Sequence, residues 1–162
     1  MSRGFVKEDD AQTPPLVPPR AALPPGTPNY VTPNGLEQLR QELTVLEAER
    51  ALAEADRTQT DTDRTFRLAL LTERLASARL VDPAAQPLGE VRFGATVRLR
   101  GQGDAERVFT IVGVDEADVA AGKIGFVAPL ARALIGARPG QRVRLPLGGR
   151  VEEVEVLAVS YQ

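Results

Sequence analysis

Cysteine, histidine and tryptophan are absent from this chain, and aromatic residues make up only 4% of it. Without cysteine there are no disulfides and no thiolate chemistry, which fits a cytoplasmic protein. Without histidine the chain lacks the usual zinc ligand and the usual general base near neutral pH, so Ser-His-Asp chemistry is excluded. No apolar run reaches the roughly 18 residues that mark a membrane-spanning helix. A basic stretch followed by an apolar one is missing at the N-terminus, so no secretory signal is expected. Positive charge is not in excess either. The net charge of −2 argues against a nucleic-acid binder driven by phosphate neutralisation.

What is present is strongly patterned. Leu36, Leu39, Leu43, Leu46 and Ala53 recur at alternating steps of three and four, with Arg50 in one seam position. Leu68, Leu71, Leu75 and Ala78 repeat the spacing. A 3-4 repeat places an apolar seam along one side of a helix, so the two rows predict an antiparallel coiled-coil hairpin. The aliphatic-free segment between them, Asp56 to Asp63, is then the turn, and it carries the carboxylates of Asp56, Asp61 and Asp63. Residues 30–82 hold seven Arg against ten Asp or Glu, while residues 88–162 hold ten Arg or Lys against nine acids. An acidic rod on a near-neutral body suits a protein partner with a basic or metal-containing recess. Simple solvation of an exposed hairpin explains the same charges.

The 162 residues divide into four stretches. Residues 1–29 contain seven prolines and are expected to form a disordered or partly polyproline II tail. Such a tail could also serve as a ligand for a proline-reading domain. Residues 30–82 are the hairpin. Thr32-Pro33 supplies a cap and a favourable first position for its first helix, which runs to about Ala55. Thr58 or Thr60 can cap the second, which is expected to end near Val81 because Pro83 cannot continue it. Residues 83–88 are a linker and 89–162 a second domain. In that domain Val91 to Leu99 alternate with polar residues at the period of a half-buried strand. Val108 to Val114, Ile124 to Val127, Gln141 to Pro146 and Val151 to Val159 are further strand candidates. One short helix is expected from Pro129 to Ile135, stopped at Gly136. The class is α+β: a helical hairpin followed by a small antiparallel sheet with one short helix.

These residues resemble the GreA/GreB family of bacterial transcription factors. The likeness runs from about Tyr30 to Tyr161. It is carried by Val112-Gly113-Val114-Asp115-Glu116-Ala117-Asp118 and by Pro129-Leu130-Ala131-Arg132-Ala133-Leu134-Ile135-Gly136. Pro139-Gly140, Gly148-Gly149, Phe93-Gly94-Ala95-Thr96-Val97 and the lead-in Tyr30-Val31-Thr32-Pro33-Asn34-Gly35-Leu36 add to it. The resemblance implies an FKBP-like second domain that docks on RNA polymerase at its secondary channel, with Asp115, Glu116, Asp118, Pro129, Leu130 and Arg132 as the docking residues. It implies that the hairpin enters the channel and that acids at its tip help hold a magnesium ion of the polymerase, which then cuts backtracked RNA. The chain itself would be no enzyme, at most a cofactor for the polymerase's chemistry. It would bind no metal alone and have no cofactor beyond that shared magnesium, and a monomer is expected.

Two departures bear on that expectation. The family's tip reads Gly-Asp-x-Ser-Glu-Asn, and Ala55, Asp56, Arg57, Thr58, Gln59 and Thr60 align with it. Asp56 matches the aspartate, while Gln59 replaces the glutamate and loses its charge. Asp61 and Asp63 either substitute for it or only favour the start of the second helix. Each arm also counts about ten residues shorter than in cleavage-competent relatives, roughly 15 Å of reach at 1.5 Å per residue. Val127 and Ala128 stand where relatives usually carry Asn or Asp and then Ser. The expectation is therefore a polymerase-binding regulator of elongation that does not cut RNA efficiently and competes with or inhibits cleavage factors. The alternatives are an active cleavage factor, an FKBP-like prolyl isomerase and a coiled-coil adaptor. For the isomerase's aromatic pocket, residues 88–162 offer only Phe93, Phe109, Phe126 and Tyr161. The three phenylalanines lie on expected strands, where a core position is the simpler reading.

Overall fold

The computed structural model describes residue 20, residues 22–55 and residues 62–162. Strand β1 (Asn29–Val31) leads into helix α1 (Pro33–Ala55), and helix α2 (Thr62–Ser77) returns to strand β2 (Ala78–Leu80). Thr32 caps α1 as expected, its side-chain oxygen accepting from the backbone N–H of Gly35 at 2.9 Å. The leucine seam forms: Leu39, Leu46, Leu68 and Leu71 are buried together with Val31, and Leu36, Leu43, Leu75 and Ala78 pack against them. Burying such side chains stabilises by roughly 1.5–3 kcal/mol each. Arg50 does not join the seam. Its side chain is 62% exposed and pairs along the helix with Glu54 at 3.0 Å.

The second helix stops at Ser77, four residues before the expected end at Val81. The reason lies outside the local sequence. Asn29 donates its side-chain amide to the carbonyl of Arg74 at 2.9 Å, satisfying one of the last free acceptors of α2. The next residues then find backbone partners in β1, with Asn29, Tyr30 and Val31 opposite Ala78, Arg79 and Leu80 in parallel register. The helices are thus joined at their root by a two-stranded ribbon.

After a short 3₁₀ turn at Pro83–Ala85, the chain forms strands β3 (Ala95–Arg100), β4 (Glu106–Val112) and β5 (Lys123–Gly125), helix α3 (Pro129–Leu134), and strands β6 (Arg142–Leu147) and β7 (Arg150–Tyr161). They make one sheet in the order β5-β4-β3-β7-β6. All its pairings are antiparallel except β4 with β5, which is parallel. The first strand begins at Ala95 rather than Val91. Val91 exchanges backbone hydrogen bonds with Gly136 and Ala137 after α3, and Gly94 donates to Ile111, so residues 91–94 turn instead of extending the ladder. The core between sheet and helix holds Val91, Val97, Leu99, Ile111, Leu134, Leu145 and Val156, all almost fully buried. Among the described residues no helix is long and apolar enough to cross a membrane.

Candidate functional site

The hairpin has two ends with different chemistry. Of the tip residues, Asp56, Gln59 and Asp61 lie outside the described residues. Asp63 stands in the first turn of α2 with its side chain exposed. There its carboxylate faces the positive end of the helix dipole, a position that favours helix initiation. As a rod, α1 is 23 residues long, about 34 Å at 1.5 Å per residue.

The root is built more densely. Two adjacent acids at the end of β4's loop, Asp115 and Glu116, point back into the hairpin. Glu116 is only 8% exposed. One of its oxygens accepts a hydrogen bond from the Thr32 hydroxyl. The other accepts from the side-chain amide of Asn34 at 3.0 Å and lies 3.7 Å from the Lys123 ammonium. Thr32 therefore does double duty: it caps α1 and ties the helix start to the body. Gly35 makes the approach possible, since a Cβ there would come within 2.7 Å of the Glu116 carboxylate.

Asp115 serves the other helix. Arg20 donates to its Oδ1 at 2.6 Å, and Arg74 of α2 approaches Oδ2 at 3.4 Å. Arg20 also pairs with Glu42 of α1 through its second terminal nitrogen. Burial pulls the Arg20 pKa down, but the hydrogen bonds and charges of Asp115 and Glu42 outweigh it and leave it raised above its ordinary value. Paired in this way, the buried charges have near partners of opposite sign, which is the condition for tolerating them away from water.

Apolar contacts complete the root. The ring of Tyr30 in β1 meets Phe93 and Phe126 of the body at centroid separations of 5.8 and 5.5 Å, and those two lie 5.5 Å apart. Tilted and edge-on rings at such distances attract beyond their area burial. Gly113 passes directly under the Tyr30 carbonyl, where a Cβ would sit 2.6 Å from that oxygen. The aromatic residues that an isomerase pocket would need are thus packed on the hairpin lead-in or on the core. Tyr161 is held by a short hydrogen bond to the Glu90 carbonyl and accepts the Arg92 N–H at 2.9 Å. Nothing in this arrangement supports prolyl isomerisation.

The residues singled out for docking fall into two groups. Asp115 and Glu116 face the root and have partners there. Asp118, Pro129 and Arg132 are exposed, with Pro129 and Arg132 on α3, while Leu130 is half-buried against the core. Arg20, Arg74, Thr32 and Asn34, which build the root with them, carry no local pattern that sets them apart. Gly35 inside a helical turn was the one available hint, because glycine there weakens a helix and so needs another reason.

A rod anchored by buried polar contacts on a small mixed body defines the architectural class. Comparisons with known proteins give it a family. A family model described as "Transcription elongation factor, GreA/GreB, C-term" matches residues 86–161. The transcription elongation factor GreB of Neisseria meningitidis serogroup B is 38% identical, over 83% of this chain and 95% of that protein. GreA of Acidiphilium cryptum is 42% identical over 59% of this chain, a match that spans 61% of that protein's length. The chain belongs to the GreA/GreB family of transcription elongation factors. Among solved structures, a GreA/GreB factor from Nitrosomonas europaea is 27% identical with a TM-score of 0.43, covering 83% of this chain and 99% of its own. Gfh1 of Thermus thermophilus is 21% identical with a TM-score of 0.40, covering the same 83% and 99%.

Proposed function

We propose that this chain is an RNA polymerase-associated elongation factor that inserts its hairpin into the secondary channel and acts by occupying it, without efficient stimulation of transcript cleavage. The observation that carries this reading is the length of the arm. The alignment to the Neisseria GreB spans 155 positions but takes up 83% of this 162-residue chain, about 134 residues, leaving about 21 positions of the relative unmatched. That number fits the loss of about ten residues from each arm, or roughly 15 Å of reach. A magnesium ion needs its ligands at about 2.0–2.1 Å, so side-chain flexibility does not bridge such a shortfall. Gln59 in place of the family's glutamate points the same way, since an amide neutralises no metal charge.

In this reading the chain performs no chemistry of its own and carries no resident metal. Asp56, Gln59, Asp61 and Asp63 contact basic groups, or the rim of the polymerase's magnesium site, at partial depth. Asp118, Pro129, Leu130 and Arg132 contribute to docking, while Asp115 and Glu116 act indirectly by fixing the rod on the body. The protein works as a monomer in the cytoplasm, where the polymerase is.

The test is binding to core RNA polymerase combined with a cleavage assay on stalled, backtracked complexes. The chain is expected to bind, to leave the RNA uncut, and to suppress cutting when added with a longer relative. Failure to bind and to compete at low salt would overturn the proposal. The second reading, an active cleavage factor, is favoured by Asp56, which keeps the family's aspartate. It requires RNA shortening that Asp56→Asn abolishes while binding persists.

A further inference from the structure

We infer that Arg20 and residues 22–28 form a strap that locks the hairpin to the body, with Arg20 as its latch, so that the direction of the rod is braced by a segment lying before the family-like region. The strap is visible in the backbone. Residues 24–27 read Pro-Pro-Gly-Thr, and the Thr27 N–H bonds back to the Pro24 carbonyl at 3.1 Å. Gly26 has φ +77°, the sign that the third position of a type II turn demands after a proline. The turn reverses the chain. β1 then runs alongside β2, while Ala22 and Leu23 lie back against α2, lining a cleft of about 260 Å³ with Leu70, Glu73, Arg74 and Ser77. Arg20 closes the loop.

Arg20 is placed between the body and α1. One nitrogen of its guanidinium reaches Asp115 of the body and the other Glu42 of α1. Asp115 in turn is shared with Arg74 of α2. One planar fork therefore ties the body to α1, a geometry suited to arginine and not to lysine, while Asp115 carries the link to α2 through Arg74. The Asp115 side chain is 8% exposed and that of Arg20 18%, so solvent screens this pair less than it does a surface pair, whereas Glu42 is 45% exposed. The other contacts at the root, Glu116 with Thr32 and Asn34, Asp115 with Arg74, the β1–β2 ribbon and the Tyr30 ring on Phe93 and Phe126, all hold the hairpin at its base. Arg20 adds a second fixed point on α1, at Glu42 two turns further along, and two points define a direction.

Leverage makes this consequential. A 23-residue helix is about 34 Å long, so a tilt of ~10° at its base moves the far end by about 6 Å. Any task that delivers the tip to a defined depth depends on that angle. The strap concerns the free protein, and its test needs no polymerase, so it stands or falls separately from the function proposed above.

The absence of cysteine makes the experiment clean. Spin labels at Val45→Cys on the outer face of α1 and Arg144→Cys on exposed β6 report the angle between rod and body in the full chain. The expected result is one narrow distance distribution in the otherwise unaltered protein, and a broadened or shifted one with Arg20→Ala. Deleting residues 1–19 should leave the narrow distribution, while deleting 1–28 should reproduce the Arg20→Ala result. A distribution for folded Arg20→Ala that superimposes on the parent overturns the inference. Should Arg20→Ala fail to fold, Glu42→Ala carries the test. Glu42 lies on the exposed side of α1, and its loss removes the second fixed point only. Broadening supports the strap, and an unchanged distribution overturns it.

Discussion

The hairpin is held in one way at its root and in another along its length. Along the rod, Leu39, Leu46, Leu68 and Leu71 form a thin apolar seam, and Arg50 turns out of it to a solvent-exposed pair. At the root, a parallel ribbon, three aromatic rings and two carboxylates with five polar partners fix the helices on the sheet. The seam resists separation of the helices but says nothing about where they point. The root, made of directional hydrogen bonds, sets the angle. The two regions thus divide stability from orientation, and substitutions should separate those properties.

The largest effects are expected in the apolar layers. Leu71 in the seam and Leu145 in the body are both fully buried, and changing either to Ala should cost about 3 kcal/mol. Thermal melts followed by circular dichroism check this. Because the root couples the two regions, both variants should shift one cooperative transition. Two separate transitions in Leu71→Ala would show that rod and body unfold independently. Next in size is the root itself. Glu116→Ala leaves the Thr32 hydroxyl and the Asn34 amide without their acceptor and removes the Lys123 partner, a loss of about 2–3 kcal/mol in denaturant titration. Unlike Leu71→Ala, it should leave helix content intact at low temperature while loosening the rod against the body.

How much of this was legible from residues alone follows from the range of each contact. The seam leucines and the alternating strands read correctly because their periodicity is local. The short helix is legible too, because Pro129 and Gly136 punctuate it. The root was not legible. Arg20 and Asp115 are 95 positions apart, and Asn29 ends α2 from 45 positions away. Single polar residues at such separations leave no periodic trace. Asp115 and Glu116 stood out as part of a motif, yet a motif does not say whether its acids face a partner or the chain's own helices. The strand expected from Val91 started late for a similar reason: its first backbone groups are satisfied by the loop after α3.

A smaller effect, about 1 kcal/mol, is expected for Tyr161→Phe, which removes the hydrogen bonds joining the last strand to the Glu90–Arg92 segment. Burial raises the Tyr161 pKa above its ordinary value, against the opposing hydrogen bond from Arg92. The native phenol therefore keeps its proton at pH values where the unfolded chain loses it. Its contribution is fully present below about pH 10 and is lost as pH rises through the folded value. Melts across that window should fall in the parent more steeply than in Tyr161→Phe. Equal slopes would show that another group governs the alkaline side.

The smallest effect completes the contrast between rod and root. Arg50 and Glu54 form an i,i+4 pair on α1 with side chains 62% and 67% exposed. Their order is the less favourable one, since the basic residue precedes the acid against the helix dipole. Exposed pairs of this kind contribute at most about 0.5 kcal/mol and weaken further with salt. Glu54→Gln should therefore leave the melting temperature nearly unchanged, whereas Glu116→Ala changes it strongly although each variant removes one carboxylate from a basic neighbour. Arg50→Leu sharpens the point. It returns an apolar side chain to the seam position that arginine vacates, and should stabilise the hairpin slightly, as read by the same melts. If Arg50→Leu instead destabilised it, the outward turn of Arg50 would be required by the rod's geometry and would not be a mere consequence of its charge.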